Sequence, residues 1–176
     1  IRWRSLYESR IGPFAAMNEN YLCERRSGID IPKQKYIDIF FFDTKVCNKQ
    51  LAIMWKRKLN VHPAFLIRRI SKLNKFLRFT FSLNNKIHEI QVSSSERDAQ
   101  RDVHLLWNNT PPTLSFTQKE ILKGKKILNK FGIKDNEKFV CLFARDSAYL
   151  EQYHIPPKAS WKYHSYRDSD INNFIP

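Results

Sequence analysis

Apolar positions fall into short β-prone runs separated by stretches with helical spacing. Residues 1–7 read as the tail of a strand. Gly12 permits a turn after Arg10 and Ile11, and Pro13 suits the first turn of a helix. From there Phe14, Met17, Tyr21 and Leu22 recur on one helical face. Arg25 and Arg26 complement the carboxyl end of that helix, and Gly28 is placed to stop it. After a loop with Pro32, residues 36–42 form an apolar run broken only by Asp38. Such a run predicts a strand buried on both faces, as in parallel sheets.

Asn48 is suited to cap a helix from residue 49 to about 58, with Leu51, Ile53, Met54 and Trp55 apolar. A short strand over 59–62 is stopped by Pro63. Residues 64–81 predict an amphipathic helix whose apolar line is Leu66, Ile70, Leu73 and Leu77. Alternation over 87–92 predicts another strand, and residues 108–112 are turn-rich. Thr117 and Glu120 have the spacing of a capping box. Ile121, Leu122, Leu128 and Phe131 supply the apolar face of the helix that follows, and Gly132 ends it. Residues 139–144 predict a last buried strand, ending abruptly at Arg145-Asp146. Helices and strands thus alternate, which implies an α/β layered, Rossmann-like fold with a mostly parallel sheet.

The 176 residues suffice for one domain with a real core, and 13 Phe and 4 Trp exclude a disordered tail. The net charge of +14 points to anionic partners: nucleic acid, an anionic membrane surface, or phosphorylated and acidic sugars. Lysine-rich composition by itself accounts for the charge equally well. No acidic residue lies between Asp43 and Glu89. Arg68, Arg69, Lys72, Lys75 and Arg78 lie off the apolar line of the 64–81 helix. They form either a face for an anionic membrane or the solvated outside of a packed helix; the second is preferred, since the pattern is interrupted. Cys23, Cys47 and Cys141 form no CxxC pair and read as reduced structural thiols of a cytoplasmic protein. No run approaches a membrane span, and no signal peptide is expected. Ile1 and Pro176 both look like cut ends, so the chain is expected to be a piece of something larger.

The densest chemistry lies in residues 138–174. Ligands of open α/β sheets bind beyond the carboxyl ends of strands, which makes Arg145 and Asp146 candidates. Arg145 and Arg167 offer planar forks to phosphate or carboxylate, and His164 is a general-base candidate near neutral pH. Internal salt bridges with Asp146, Asp168 or Asp170 would explain the same residues structurally. Asp168-Ser169-Asp170 has the form of a divalent-metal pair, but helix capping ahead of Ile171 is the preferred reading. The five His lack zinc-ligand spacing. No GxSxG, Walker A or GxGxxG occurs, and Ser147 lacks nucleophile-elbow glycines.

Two strings, KFVCLFARDSAYL and WKYHSYRDSDINNF, resemble the central part of a family of bacterial glycosyltransferases linked to surface-polysaccharide gene clusters. PTLSFTQKEILKGKKILNKFGI and the opening ESRIGPFAAMNENYLCER are similar to family segments as well. The resemblance is thinner from residue 45 to 93. It implies a GT-B-like architecture of two Rossmann-like domains. Residues 1–160 would be the acceptor-side domain, truncated at its amino end. Residues 161–176 would start the connector to an absent donor-binding domain. The implied chemistry is sugar transfer from a nucleotide-sugar co-substrate, with no resident cofactor and no essential metal.

Carried over by position, the resemblance assigns Arg145, Asp146 and His164 to catalysis. Arg10, Gly12, Asn18, Tyr149, Tyr166 and Arg167 would contact substrate. Pro13 stands where the family pattern has His, so the chain is impaired or His164 takes that part. The expected partners are a nucleotide-sugar and a glycan acceptor, with peripheral contact to an anionic inner membrane as an extension. Nucleic acid is not expected, because no nucleic-acid-binding fold signature appears. The alternatives are a basic module binding an anionic polymer and a degenerate, non-catalytic fragment.

Overall fold

The computed structural model describes residues 1–70, 101–146 and 165–174, together with Lys72, Ile90, Ala148 and Gln152. The chain divides into two compact units, Ile1–Ile121 and Leu122–Pro176. It is a mixed α/β protein with a small parallel sheet.

In the first unit, β1 (Arg2–Ser5) and β2 (Asp38–Phe41) pair in parallel, in register from Arg2 opposite Asp38 to Ser5 opposite Phe41. Between them lies α1 (Ile11–Arg26), the crossover helix that a parallel pair requires. Two further segments flank the strands. Val61 forms an isolated parallel bridge with Phe40: the Phe40 N–H donates to Asn60 O at 2.9 Å and the His62 N–H to Phe40 O at 2.8 Å. On the other side, the Ile90 N–H donates to Trp3 O at 3.2 Å. The lateral order is therefore residue 61, β2, β1, residue 90. Instead of uniform burial, β2 alternates: Asp38 and Phe40 are buried, and Ile39 and Phe41 are half-buried.

α1 ends as its sequence predicts. Gly28 adopts φ 79, the Ile29 N–H reaches Glu24 O and the Gly28 N–H reaches Arg25 O. That pair of bonds is a Schellman motif, which satisfies carbonyls left open at the helix end. Phe14, Met17 and Tyr21 face the core, joined by the polar Asn18 and Asn20. α2 (Lys49–Lys56) is capped by Asn48, whose Oδ1 accepts from the Leu51 N–H at 2.9 Å. It stops two residues before the expected end. Its Trp55 is fully buried and donates Nε1–H to Phe14 O at 2.9 Å, joining α2 to α1. Leu6, Phe14, Tyr21, Phe40, Ala52, Trp55, Leu59 and Ile90 form the core.

Residues 64–70 are helical, but the expected inward line is corrected. Ile67 is buried, whereas Leu66 and Ile70 are exposed. One residue of helical rotation decides this, because an amphipathic helix is oriented by what it packs against. Apart from Lys72 and Ile90, the remainder of the expected 64–81 helix and 87–92 strand lies outside the described residues.

α3 (Gln118–Lys130) begins with the expected capping box. The Glu120 N–H donates to Thr117 Oγ1 at 3.3 Å, and the Thr117 N–H to Glu120 Oε2 at 2.8 Å. Gly132, at φ 84, closes it in a second Schellman motif, with the Ile133 N–H on Leu128 O and the Gly132 N–H on Asn129 O. No α3 side chain is buried.

The predicted buried strand at 139–144 is not formed. These residues have no regular structure, and Val140 is 95% and Phe143 85% exposed. A strand exists only where a neighbouring backbone takes up its hydrogen bonds, and among the described residues none lies alongside. Among the described residues no helix is long and apolar enough to cross a membrane.

Candidate functional site

The carboxyl ends of β1 and β2 converge on a clip built by Glu8. Residues 6–10 carry the chain from β1 into α1, and Tyr7 takes the left-handed conformation at φ 53. A non-glycine residue there carries strain of about 1–2 kcal/mol. Glu8 is fully buried. Its Oε1 accepts from both the backbone N–H and the hydroxyl of Thr44, the latter at 2.9 Å, and its own carbonyl accepts from the Cys47 N–H at 2.9 Å. The loop after β1 is thus tied to the loop after β2. Glu8 Oε2 is buried without a hydrogen-bond partner. Asp43, next to Thr44, is held by Arg68, whose Nε–H donates to Oδ1 at 3.0 Å.

Arg10 and Gly12 stand at this edge. Arg10 is the N-cap of α1 and makes no side-chain capping bond, and the first turn holds no acidic residue. The first-turn N–H groups and the positive end of the helix dipole are therefore not answered by the capping residue. Gly12 is exposed, with nothing within 4 Å of where a Cβ would lie.

Asn18 points into the first unit's interior. It is fully buried, donating Nδ2–H to Phe14 O at 2.7 Å and to Leu6 O at 3.3 Å, and accepting at Oδ1 from Arg4 at 3.2 Å. All of these partners belong to the fold. Arg4 is itself buried, which lowers its pKa, and its guanidinium lies over the Tyr21 ring at 5.2 Å.

At the opposite, amino end of the sheet, Asp38 gathers Arg2, Tyr21 and Arg25. Burial would raise the Asp38 pKa, but the bonds from Arg2 and Tyr21 and the nearby positive charges outweigh it and hold the carboxyl below its usual range. Tyr21 is pushed up by burial and by its bond to Asp38. This network is internally satisfied and serves the fold.

In the second unit, Arg145 meets Asp168 and Ser169. The Ser169 N–H donates to Arg145 O at 2.9 Å, and the Arg145 N–H donates to Ser169 Oγ at 3.3 Å. Arg145 Nε lies 3.7 Å from Asp168 Oδ1, a charge pairing longer than a hydrogen bond. Residues 24 positions apart, one in each of the two strings, are thereby brought together. Asp146 turns its Oδ1 onto the Ala148 N–H at 3.1 Å. Asp170 Oδ1 accepts from the Asn172 N–H at 2.9 Å and caps the short 3₁₀ helix Ile171–Phe174. Capping is therefore what the second acid of the D-x-D does. Tyr166 and Arg167 are exposed, and Arg167 donates Nε–H to the Tyr166 hydroxyl at 2.8 Å. His164 and Tyr149 lie outside the described residues, as does Ser147. Among the described residues no group of three or more His, Cys, Asp or Glu side chains could hold a metal ion.

All three cysteines are free. Cys23 is buried and Cys47 half-buried, with its pKa raised by burial. Cys141 is exposed, which corrects its reading as a structural thiol among packed apolar residues.

Sequence reasoning missed Glu8 and Thr44. The available signal was a single acid in the residues ahead of the predicted first helix, just where a parallel strand ends. Comparison with protein-family models, with curated proteins and with solved structures finds no match to this chain.

Proposed function

We propose that this chain is part of a glycosyltransferase that moves a sugar from a nucleotide-sugar donor to a surface-polysaccharide or related glycan acceptor. The observation that carries the reading is the contact of Arg145 with Asp168 and Ser169. It joins the two strings on which the family resemblance rests. The lateral order of residue 61, β2, β1 and residue 90 adds support, since it is the order of a doubly wound sheet around its first strand. A Rossmann-like acceptor-side domain is the corresponding fold proposal.

In this mechanism His164 takes the proton of the acceptor hydroxyl as that oxygen attacks the anomeric carbon. The bond from that carbon to the diphosphate oxygen breaks, and the nucleoside diphosphate leaves. Arg145, steered by Asp168, answers the negative charge that develops.

The test is nucleoside diphosphate release by the full gene product across a panel of nucleotide-sugars. Arg145→Ala and His164→Ala should each lower kcat/KM by about a hundredfold at unchanged Tm. Unchanged turnover in both variants would place the site elsewhere, and no turnover with any donor would remove the reading. Residues 1–176 alone should show little or no transfer; robust transfer by them would refute the two-domain arrangement.

A further inference from the structure

We propose that α3 is a docking helix for an anionic lipid surface. The inference is independent of the transferase reading. It rests on an apolar face exposed among the described residues and on the charge surrounding it. In this helix, Ile121 is 42%, Leu122 50% and Ile127 44% exposed, and Phe131 at its carboxyl cap is 77% exposed. Ile121, Ile127, Leu128 and Phe131 share one side at helical spacing, and Gly124 between them adds no bulk.

Apart from Glu120, the charged positions are all lysine. Lys119, Lys123, Lys126 and Lys130 follow one another around the other side, and Lys125 lies at the far margin of the apolar face. Lys125 reaches Asp135 at 3.1 Å, an exposed pair that salt or a charged surface readily displaces. The one acid of the helix, Glu120, is held by its own neighbours: Arg57 donates to it at 2.8 Å and Gln50 at 2.7 Å. The charge left facing outward is therefore positive.

A helix of 13 residues spans about 20 Å, too short to cross a bilayer but long enough to lie in its interface. Long lysine stems let the ammonium groups reach the headgroups while the apolar side chains enter the acyl boundary. Charge complementarity selects the occupant. A neutral apolar groove would match the Ile and Phe positions and leave the lysines unanswered; an anionic bilayer answers both. Within the second unit, Val140 and Phe143 expose further apolar side chains next to Lys138 in sequence.

The experiment is flotation of the full chain with vesicles of phosphatidylcholine alone and of phosphatidylcholine with 30% phosphatidylglycerol, a composition chosen to give roughly the surface charge of an anionic leaflet. Binding is expected to the anionic vesicles only, weakening as salt rises. Lys123→Glu with Lys126→Glu should lower the partition coefficient at least about tenfold. Ile127→Asp with Phe131→Asp should do the same by removing the inserted face. These positions are exposed, and circular dichroism melting verifies that each variant folds. Absence of flotation with anionic vesicles at low salt overturns the proposal. Flotation that survives Ile127→Asp/Phe131→Asp assigns the lipid contact to another surface and also overturns it. Self-association that Phe131→Asp abolishes, without vesicle binding, overturns it in favour of a second copy as the occupant.

Discussion

Arg2 and Asp38 are register partners at the amino ends of the two parallel strands, joined by a two-bond fork with both distances 2.7 Å. The Asp38 side chain is 1% exposed. Arg25 adds a third positive contact from α1 at 3.0 Å, and the Tyr21 hydroxyl donates to the same carboxylate. The one polar residue in the β2 run thus sets the pairing register, since a slip of one residue would carry it to the other face.

Stability should fall on acidification through Asp38. Its folded pKa lies below the unfolded value, so its contribution is complete above about pH 4 and is lost as pH drops through the folded pKa. Asp38→Asn leaves Arg2 facing no charge and should cost about 3 kcal/mol at pH 7. The gap between wild type and variant, read from urea unfolding at several pH values, should narrow toward pH 2. Glu24, raised by burial, acts in the opposite sense in both proteins and cancels in that difference. A gap independent of pH would show that the carboxylate is not ionised in this network.

Trp55 joins α2 to α1 through one hydrogen bond in a fully buried setting. Trp55→Phe should cost about 1–2 kcal/mol, because the Phe14 carbonyl keeps its bond from Asn18. Trp55→Ala adds a cavity and should cost about 3–5 kcal/mol. Equal losses in the two variants would mean that packing contributes nothing beyond the hydrogen bond.

The Glu8 clip is testable by amide exchange. Glu8→Ala should expose the Thr44 amide and cost about 1–3 kcal/mol. The Cys47 amide, bonded to the Glu8 backbone carbonyl, should keep its protection. Unchanged exchange at Thr44 would show that the loops are not joined through this carboxylate.

The glycines divide by conformation. Gly28→Ala and Gly132→Ala should each destabilise by about 1 kcal/mol, since both sit at positive φ. Gly124→Ala, in open space inside α3, should instead stabilise by about 1 kcal/mol. Far-UV circular dichroism melts separate the two directions.

What the sequence determined by itself is local. Asn48, the Thr117–Glu120 box, Gly28 and Gly132 declare helix ends because each acts on backbone within a few residues. The short segments around β1, β2 and residue 61 were legible for a similar reason: their apolar runs are bounded by Gly12, Pro32 and Pro63. Tertiary structure decided the rest. Asp38 meets Arg2 across 36 residues, Glu8 meets Thr44 across the same distance, and Arg145 meets Ser169 across 24. No spacing rule specifies such partners. The 139–144 run shows the limit most directly. Its composition announces a demand for burial, but a strand also needs a neighbouring backbone, and whether one arrives is settled only when distant parts of the chain are packed. The same holds on the 64–70 helix, where only the packing selects Ile67 over Leu66.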